Sequence, residues 1–217
     1  MKKIVVVGGG QAGLQVCESV RREGFDGELF LICKEDSLPY QRPPLSKSFL
    51  EGDIDRERLF IRPPTFFQKY EIECLLSTSV LSIDRKSRKV KLSNGNSMSF
   101  DKLALTTGAR VKKLGNIDHN SKTFYIRDVG SSEALERKLV SIDNIAVIGG
   151  GFIGLEVAAV CRKMGKSVIV LEQSKTLMAR GIPSPLASYY EEIHKRKGVH
   201  ISLETKVEEI QIDMLDG

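Results

Sequence analysis

Residues 5–13 read VVVGGGQAG, and residues 146–154 repeat the pattern as AVIGGGFIG. Each stretch begins with strand-forming apolar residues, passes through three glycines and continues into a segment whose apolar residues have helical spacing. The pattern G-x-G-x-x-G is a weak signal alone, but between a strand and a helix it is typical of a turn that holds a dinucleotide pyrophosphate. We therefore predict two dinucleotide-binding turns, Gly8–Gly13 and Gly149–Gly154.

The three glycines of such a turn have separate physical roles. The first permits the tight turn, the second lets the backbone approach a pyrophosphate, and the third lets the helix pack closely against the strand. The helix N-terminus adds free N–H groups and a positive dipole. The alternative is that the glycines serve only as turns. The predicted cofactor-binding residues are Gly8, Gly10 and Gly13 in the first turn and Gly149, Gly151, Ile153 and Gly154 in the second.

The segments around both turns predict an α/β fold with two strand–turn–helix–strand units. Around the first turn we expect the strand Lys3–Val7, the helix Gln11–Glu23 and the strand Leu29–Cys33. Around the second we expect the strand Ile145–Ile148, the helix Phe152–Met164, the strand Val168–Leu171, a helix with Ser184 as N-cap and Pro185 as first residue, and the strands Val199–Leu203 and Lys206–Ile212.

Four short strands are predicted between the two units. They are Glu73–Leu76, Val80–Ile83, Lys89–Leu92 and Lys102–Leu105. Asn94-Gly95 is a strong hairpin-turn signal. We interpret this region as a small antiparallel meander inserted after the first unit.

The residue that ends the second strand of each unit indicates which nucleotide is bound. A carboxylate about 20 residues after the glycines should hold ribose hydroxyls. Glu172 lies 18 residues after Gly154, and a carboxylate there favours NAD because it would repel the 2′-phosphate of NADP. In the first unit Lys34 stands about where the acid is expected, and Glu35 follows it. Either Glu35 reaches the ribose with a small shift, or the backbone holds the adenosine end.

Composition is that of an ordinary soluble globular protein, with 41% hydrophobic and 28% charged residues and a net charge of +5. The sequence contains neither an apolar run long enough to cross a bilayer nor a signal-peptide core, so we expect a cytoplasmic protein without membrane association. The densest charge run, residues 85–91, is RKSRKVK. We interpret it as a solvated strand–turn–strand, with a face that attracts an acidic protein as the alternative. Nucleic acid is not expected, since no aromatic residues are interleaved.

Cysteine spacing excludes two kinds of site. Cys17, Cys33, Cys74 and Cys161 are too far apart in sequence for a CxxC redox pair or the usual zinc spacing. We therefore predict no metal site and expect these residues to be small buried hydrophobes.

The chain ends at Asp216-Gly217, which follows a predicted strand and resembles a hairpin turn without its returning strand. We expect the natural protein to continue beyond it, so that the C-terminal part of the fold is missing here.

Several further segments carry a family resemblance. Residues 38–47 read LPYQRPPLSK, Arg62-Pro63 is followed by Phe66, residues 106–110 read TTGAR, and residues 147–156 read VIGGGFIGLE. Together they resemble the FAD-dependent ferredoxin reductases of bacterial oxygenase systems, within the pyridine nucleotide-disulfide oxidoreductase superfamily. The resemblance covers the whole chain, but members of that family are about twice as long.

The resemblance implies two Rossmann-like domains with parallel sheets and small meanders, residues 1–111 binding FAD and residues 112–217 forming an incomplete NAD-binding domain. It implies Lys47 against the flavin ring and Glu156 approaching the ring from the NAD side, as the catalytic pair. The family acid is replaced by Lys34, so the adenosine contact departs from the pattern. The resemblance also implies which residues line FAD. Two of them, Arg42 and Lys47, lie in the segment 38–47, and the others are Ala12, Val80, Thr107, Gly108, Arg110 and Arg127.

The residues themselves agree with such a pair. Glu156 is expected in the first turn of its helix, where the dipole favours an anion, and Lys47 would be its cation. The alternatives are an N-terminal helix acid and a surface lysine.

The function implied is electron transfer from NADH through FAD to a small acidic iron–sulfur ferredoxin. The alternatives are an NADH reductase of another acceptor, such as a quinone or oxygen, and a catalytically inactive nucleotide-binding fragment. PPLSK stands where a flavin-facing cysteine pair would be needed, which argues against disulfide substrates.

Overall fold

The computed structural model describes residues 2–115 and 122–210. The chain divides into two compact units, one formed by Met1–Gln41 with Glu57–Arg110 and the other by Arg42–Arg56 with Val111–Gly217. The sequence placed a domain boundary after residue 111, and the contacts also assign Arg42–Arg56 to the second unit. Which nucleotide each unit binds stays a prediction.

The first unit contains seven strands and two α-helices among its described residues. Its parallel sheet has the strand order β3-β2-β1-β7, and a separate antiparallel sheet has the order β4-β5-β6. The elements are β1 (Lys3–Val7), α1 (Gln11–Arg22), β2 (Glu28–Ile32), α2 (Pro64–Lys69), β3 (Ile72–Leu75), β4 (Val80–Asp84), β5 (Lys89–Leu92), β6 (Ser97–Ser99) and β7 (Lys102–Leu105).

The predicted four-stranded meander is wrong in its membership. β3 pairs in parallel with β2, and β7 pairs in parallel with β1, so both belong to the main sheet. The antiparallel sheet consists of β4, β5 and the unpredicted β6. The hairpin turn at Asn94-Gly95 is confirmed, since Gly95 has a φ of +88° and the Leu92 amide donates to the Asn96 carbonyl at 2.8 Å.

β1 and β2 are continuously hydrophobic because both faces of their sheet are covered by other parts of the first unit. Val6 and Leu31 pack on one side with Leu14 of α1, while Val5 and Phe30 pack on the other with residues of the antiparallel sheet. Because alternate residues of a strand point to opposite faces, a sheet covered on both faces needs apolar residues at successive positions.

The second unit is a three-stranded parallel sheet of order β10-β9-β8 with three α-helices among its described residues. Val168 and Val170 of β9 are buried in one core cluster with residues of α3 and α4, whereas Ile169 is 39% exposed, so one face of the sheet is covered. The elements are α3 (Val129–Leu139), β8 (Asn144–Ile148), α4 (Phe152–Lys163), β9 (Ser167–Leu171), α5 (Ser184–Arg196) and β10 (Val199–Ser202).

Three sequence expectations differ from this unit. α3 was not predicted, although Asp128 and Ser131 form a capping box at its start. The cap of α5 is Pro183, so Ser184 is the first helical residue and not the N-cap. Residues 206–209 form no strand, and the rest of the strand predicted there, with the turn Asp216-Gly217, lies outside the described residues.

Burial of the thiols is confirmed for Cys17, Cys33 and Cys161, while Cys74 is partly exposed and all four are free. Within the described ranges, no helix combines the length and the hydropathy that crossing a bilayer requires.

Candidate functional site

The first glycine turn is enclosed by the strand beside it. Gly8 has a φ of +117°, and a Cβ there would lie 2.2 Å from the carbonyl oxygen of Thr106, the residue after β7. The Thr106 hydroxyl donates to the carbonyl of Gly8 at 3.0 Å. Both the backbone angle and the space therefore require glycine at this position.

Gly10 and Gly13 have the surroundings expected for the two other glycine roles. Gly10 is the N-cap of α1 and makes no side-chain capping bond. A Cβ on Gly10 would meet nothing within 4 Å, whereas one on Gly13 would lie 2.0 Å from the carbonyl oxygen of Gly8. The middle glycine therefore leaves open space at a helix N-terminus, where a phosphate can approach N–H groups.

The second turn has the same construction. Gly149 has a φ of +101°, Gly151 is the N-cap of α4 with open space at its Cβ position, and a Cβ on Gly154 would lie 2.2 Å from the Gly149 carbonyl oxygen. The predicted strand–turn–helix context is therefore confirmed for both turns. Ile153, also predicted here, is 54% exposed at the start of α4. That these residues bind cofactor stays a prediction.

Glu172 follows β9 and is held by backbone amides. Its two carboxylate oxygens accept hydrogen bonds of 2.7 Å from the amides of Gly150 and Ser174. Partial burial alone would raise the pKa of Glu172, but these hydrogen bonds and the charge of Arg180 outweigh it and hold the pKa below its ordinary value. An ionised acceptor thus stands beside Gly150, between the first two motif glycines of the turn.

The corresponding position in the first unit is occupied by Cys33. The amide of Gly8 donates to the carbonyl of Ile32 as that of Gly149 donates to Leu171, so the residues that follow, Cys33 and Glu172, are equivalent. Burial raises the pKa of the Cys33 thiol to about 12, which makes it a neutral side chain.

In the first unit, neither Lys34 nor Glu35 lies at the position that is equivalent to Glu172. Lys34 is exposed. Glu35 is half-buried two positions after Cys33, and its carboxylate accepts a hydrogen bond from the Tyr40 hydroxyl. A ribose contact by Glu35 stays a prediction.

Lys47 and Glu156 are brought together within the second unit. The Lys47 amine lies 2.9 Å from Oε1 of Glu156, and the Ser46 hydroxyl donates to Oε2 at 2.5 Å. The expected placement of Glu156 in the first turn of its helix is wrong, because α4 starts at Phe152 and its first turn contains no acid. Its ionic partner is therefore the lysine, and the contribution of the helix dipole is smaller than expected, since that effect fades beyond the first turn.

The segment that carries Lys47 is fixed to the second unit at several points. Pro43–Ser46 forms a short 3-10 helix, and the fully buried Ser132 hydroxyl of α3 donates to the Leu45 carbonyl at 2.6 Å. Leu50 is fully buried in the core of this unit, and Glu51 forms an ion pair with Lys163 of α4. Lys47 thus projects from a well-anchored backbone.

The remaining predicted flavin contacts fall into both units. Arg42 and Arg127 belong to the second unit, where Nη1 of Arg42 donates to the Arg127 carbonyl at 2.5 Å. The others belong to the first unit and are Ala12 in the first turn of α1, Val80 at the start of β4, and Thr107, Gly108 and Arg110 after β7. Their roles stay predictions.

A profile of the pyridine nucleotide-disulphide oxidoreductase family matches residues 2–214. The chain belongs to this family. Among its curated relatives, rhodocoxin reductase of Rhodococcus erythropolis is 41% identical over 95% of the chain, which covers 49% of that protein. Putidaredoxin reductase CamA of Pseudomonas putida is 34% identical over 94% of the chain and 49% of that protein. The chain thus spans about half the length of the curated relatives it matches.

Two solved structures of ferredoxin-type reductases agree with the fold. A ferredoxin reductase for the CYP199A2 system from Rhodopseudomonas palustris matches 99% of the chain and 53% of its own with a TM-score of 0.95 and 36% identity. A covalent putidaredoxin reductase–putidaredoxin complex matches 98% of the chain and 52% of its own with a TM-score of 0.93 and 32% identity. The resemblance and the α/β fold class inferred from sequence are therefore confirmed.

The described part of this family member shows no group of three His, Cys, Asp or Glu side chains that could hold a metal ion. Sequence reasoning missed Ser46, Cys33 and Thr106, because each acquires its role from a contact made by folding. The only sequence sign for Ser46 was its place beside Lys47.

Proposed function

We propose that the protein is an NADH-dependent reductase that holds FAD on the first turn and NADH on the second, and passes electrons to a small acidic iron–sulfur ferredoxin. The observation that carries the proposal is the second glycine turn, where the ionised Glu172 accepts a hydrogen bond from the Gly150 amide. The Lys47–Glu156 ion pair on the same unit supports it. Relatives that are named ferredoxin–NAD(+) reductases, such as the component of an anthranilate 1,2-dioxygenase system of Burkholderia cepacia, support it.

The open positions at Gly10 and Gly151 fit the diphosphates of the two cofactors, since a backbone without Cβ at a helix N-terminus admits an anion. Glu172 would accept ribose hydroxyls and exclude a 2′-phosphate. When bound, FAD supplies the capacity to accept a hydride from NADH and release electrons singly. This chain's residues bind and orient the two cofactors.

The acidic character of the partner is inferred from charge. Residues 85–91 form the exposed turn between β4 and β5 and the start of β5, with five cations and Val90 as the buried member. An exposed basic surface raises the encounter rate with an acidic protein. Raising the ionic strength should therefore slow reduction of the ferredoxin while leaving reduction of the flavin by NADH nearly unchanged.

Two measurements test the function. Purified protein with the yellow absorption of bound flavin, bleached by NADH faster than by NADPH, is the expected result. A colourless protein that takes up no added FAD would overturn the proposal in favour of an inactive nucleotide-binding fragment. Comparing turnover with ferredoxin, quinone and oxygen then separates the acceptors.

The Lys47→Met variant tests the pair. The Lys47 side chain is 51% exposed, and exposed ion pairs contribute only about 0–1 kcal/mol to stability. Flavin reduction by NADH should slow much more than the midpoint of thermal unfolding changes. An unchanged rate in stopped-flow reduction would count against a role for Lys47 in the reaction.

A further inference from the structure

We propose that Ser46 is a positioning residue that fixes the direction of the Glu156 carboxylate. This inference rests on the proposed function only in assigning a reaction to Glu156. The contact itself is observed in the structure and does not depend on that assignment.

Both oxygens of the Glu156 carboxylate are engaged by neighbouring residues of one segment. Oε1 lies 2.9 Å from the Lys47 amine, and Oε2 accepts the Ser46 hydroxyl at 2.5 Å. An O–H donor to a carboxylate at this distance is among the stronger protein hydrogen bonds. Two donors on different oxygens fix the rotation of the carboxylate plane, which one donor would leave free.

The two donors differ in how firmly they are held. Ser46 is 4% exposed and ends the 3-10 helix that starts with Pro43-Pro44. The backbone before it is tied to α3 by the bond from the Ser132 hydroxyl to the Leu45 carbonyl. Lys47 carries a long side chain that is about half exposed. Serine therefore sets the position of the carboxylate, and lysine supplies the compensating charge.

Loss of the serine hydroxyl should free the glutamate without emptying a core position. Ser46→Ala removes one oxygen atom and leaves Oε2 of Glu156 to turn toward water, since the Glu156 side chain is 27% exposed. The Lys47 amine would then spend less time paired. If Ser46 had only a structural role, its replacement by alanine would leave the pairing of the Lys47 amine unchanged.

The first experiment measures the acetylation rate of the Lys47 amine by acetic anhydride, followed by peptide mass spectrometry, in the protein without added cofactor. Ser46→Ala should raise the rate several-fold with an unchanged midpoint of thermal unfolding, and Glu156→Gln should raise it at least as much. In the double variant, the serine change should add nothing to the effect of Glu156→Gln. An unchanged Lys47 rate in Ser46→Ala, or full additivity in the double variant, would overturn the proposal.

Ser37→Ala is the matched control. Ser37 is buried to a similar degree, 5% exposed, and its hydroxyl has no hydrogen-bond partner. This variant should leave the reactivity of Lys47 at the wild-type value. A rise equal to that of Ser46→Ala would mean that any buried serine produces the effect, and would also overturn the proposal.

The flavin-loaded protein provides a second readout. Ser46→Ala should lower the limiting rate of flavin reduction several-fold while the NADH concentration for half-saturation stays unchanged, because the change affects orientation and not binding. If wild-type flavin is not reduced by NADH, the proposed function fails while the labelling result still decides the role of Ser46. If wild-type flavin is reduced and Ser46→Ala is reduced equally fast, the positioning role fails alone.

Discussion

The two glycine turns follow the same backbone path in different surroundings. β1 is flanked by β2 and β7, and Thr106 at the end of β7 closes over Gly8. In the part of the chain that the structure describes, β8 pairs only with β9, and a Cβ on Gly149 would meet nothing within 4 Å. The same motif is therefore fixed by a neighbouring strand in one unit and by its own turn geometry in the other, so the two should tolerate substitution differently.

Alanine at the first glycine of each turn should give the largest difference. In Gly8→Ala the left-handed backbone strain of about 1–2 kcal/mol adds to a clash with the Thr106 backbone, which cannot move aside as a side chain can. In Gly149→Ala only the strain is expected. Urea unfolding should show Gly8→Ala several kcal/mol less stable, or unfolded, and Gly149→Ala clearly milder. Equal losses would mean that Thr106 does not constrain the first turn.

A second difference concerns the arginine near the end of each turn's helix. Nε of Arg21 in α1 donates to the Tyr70 carbonyl at 2.7 Å, Nη1 donates to Phe25 and Gly27 at 2.7 and 2.9 Å, and Nη2 donates to Glu71 at 2.8 Å. One guanidinium thus joins the end of α1 to the end of α2. The planar fork of donors makes this possible, and lysine could not reproduce it.

Arg162 of α4 occupies the equivalent place with fewer contacts. It donates to the carbonyl of Lys166 and, at 3.3 Å, to that of Lys197. Since hydrogen bonds to charged groups contribute about 1.5–3 kcal/mol when well made, Arg21→Ala should cost about 2–3 kcal/mol and Arg162→Ala about 1 kcal/mol. Thermal unfolding of both variants checks this order, with Arg21→Lys expected to behave like Arg21→Ala. A larger loss at Arg162 would reverse the comparison.

The third difference is that Glu172 of the second unit stands at the position of Cys33 in the first. It predicts that the stability contributed by Glu172 depends on pH. The folded-state pKa of Glu172 lies below its ordinary value of 4.5, so its carboxylate contributes stability above the unfolded pKa, and this contribution is lost as the pH falls through the folded pKa. Wild-type protein should exceed Glu172→Gln in stability at neutral pH, and the gap should close below pH 4.5. Cys33→Ser, which carries no acid-range titration, should show a constant difference from wild type. A Glu172 gap that does not change with pH would contradict the role of its charge.

The features that the sequence predicted correctly are those encoded by local patterns of residues. The two turns, the strands before them and the helices after them follow from residues adjacent in the chain. The membership of β3 and β7 in the parallel sheet did not, because a short strand does not specify its partner. α3 was missed although Asp128, Ser131 and Leu135 carried its signal.

In the candidate site, too, the residues predicted from sequence are those with a local signal. The carboxylate of Glu172 was predictable from its spacing to Gly154. Cys33 was not recognised as its counterpart, because that equivalence depends on hydrogen-bond register between strands. Ser46 reaches Glu156 across 110 residues of sequence, and no periodicity reports such a contact.

The thiols give the smallest and most local contrast between the units. Burial raises the pKa of Cys17 to about 12 and that of Cys74 and Cys161 to about 11. Because the thiolate is the reactive form, none should react quickly with Ellman's reagent at pH 8 in the folded protein. Cys74, the partly exposed thiol, should react first, and Cys74→Ser should remove that first phase while leaving the stability nearly unchanged. Mass spectrometry of the labelled peptides checks the order. Early labelling of Cys161 would contradict this order and would show that the second unit opens more readily than the first.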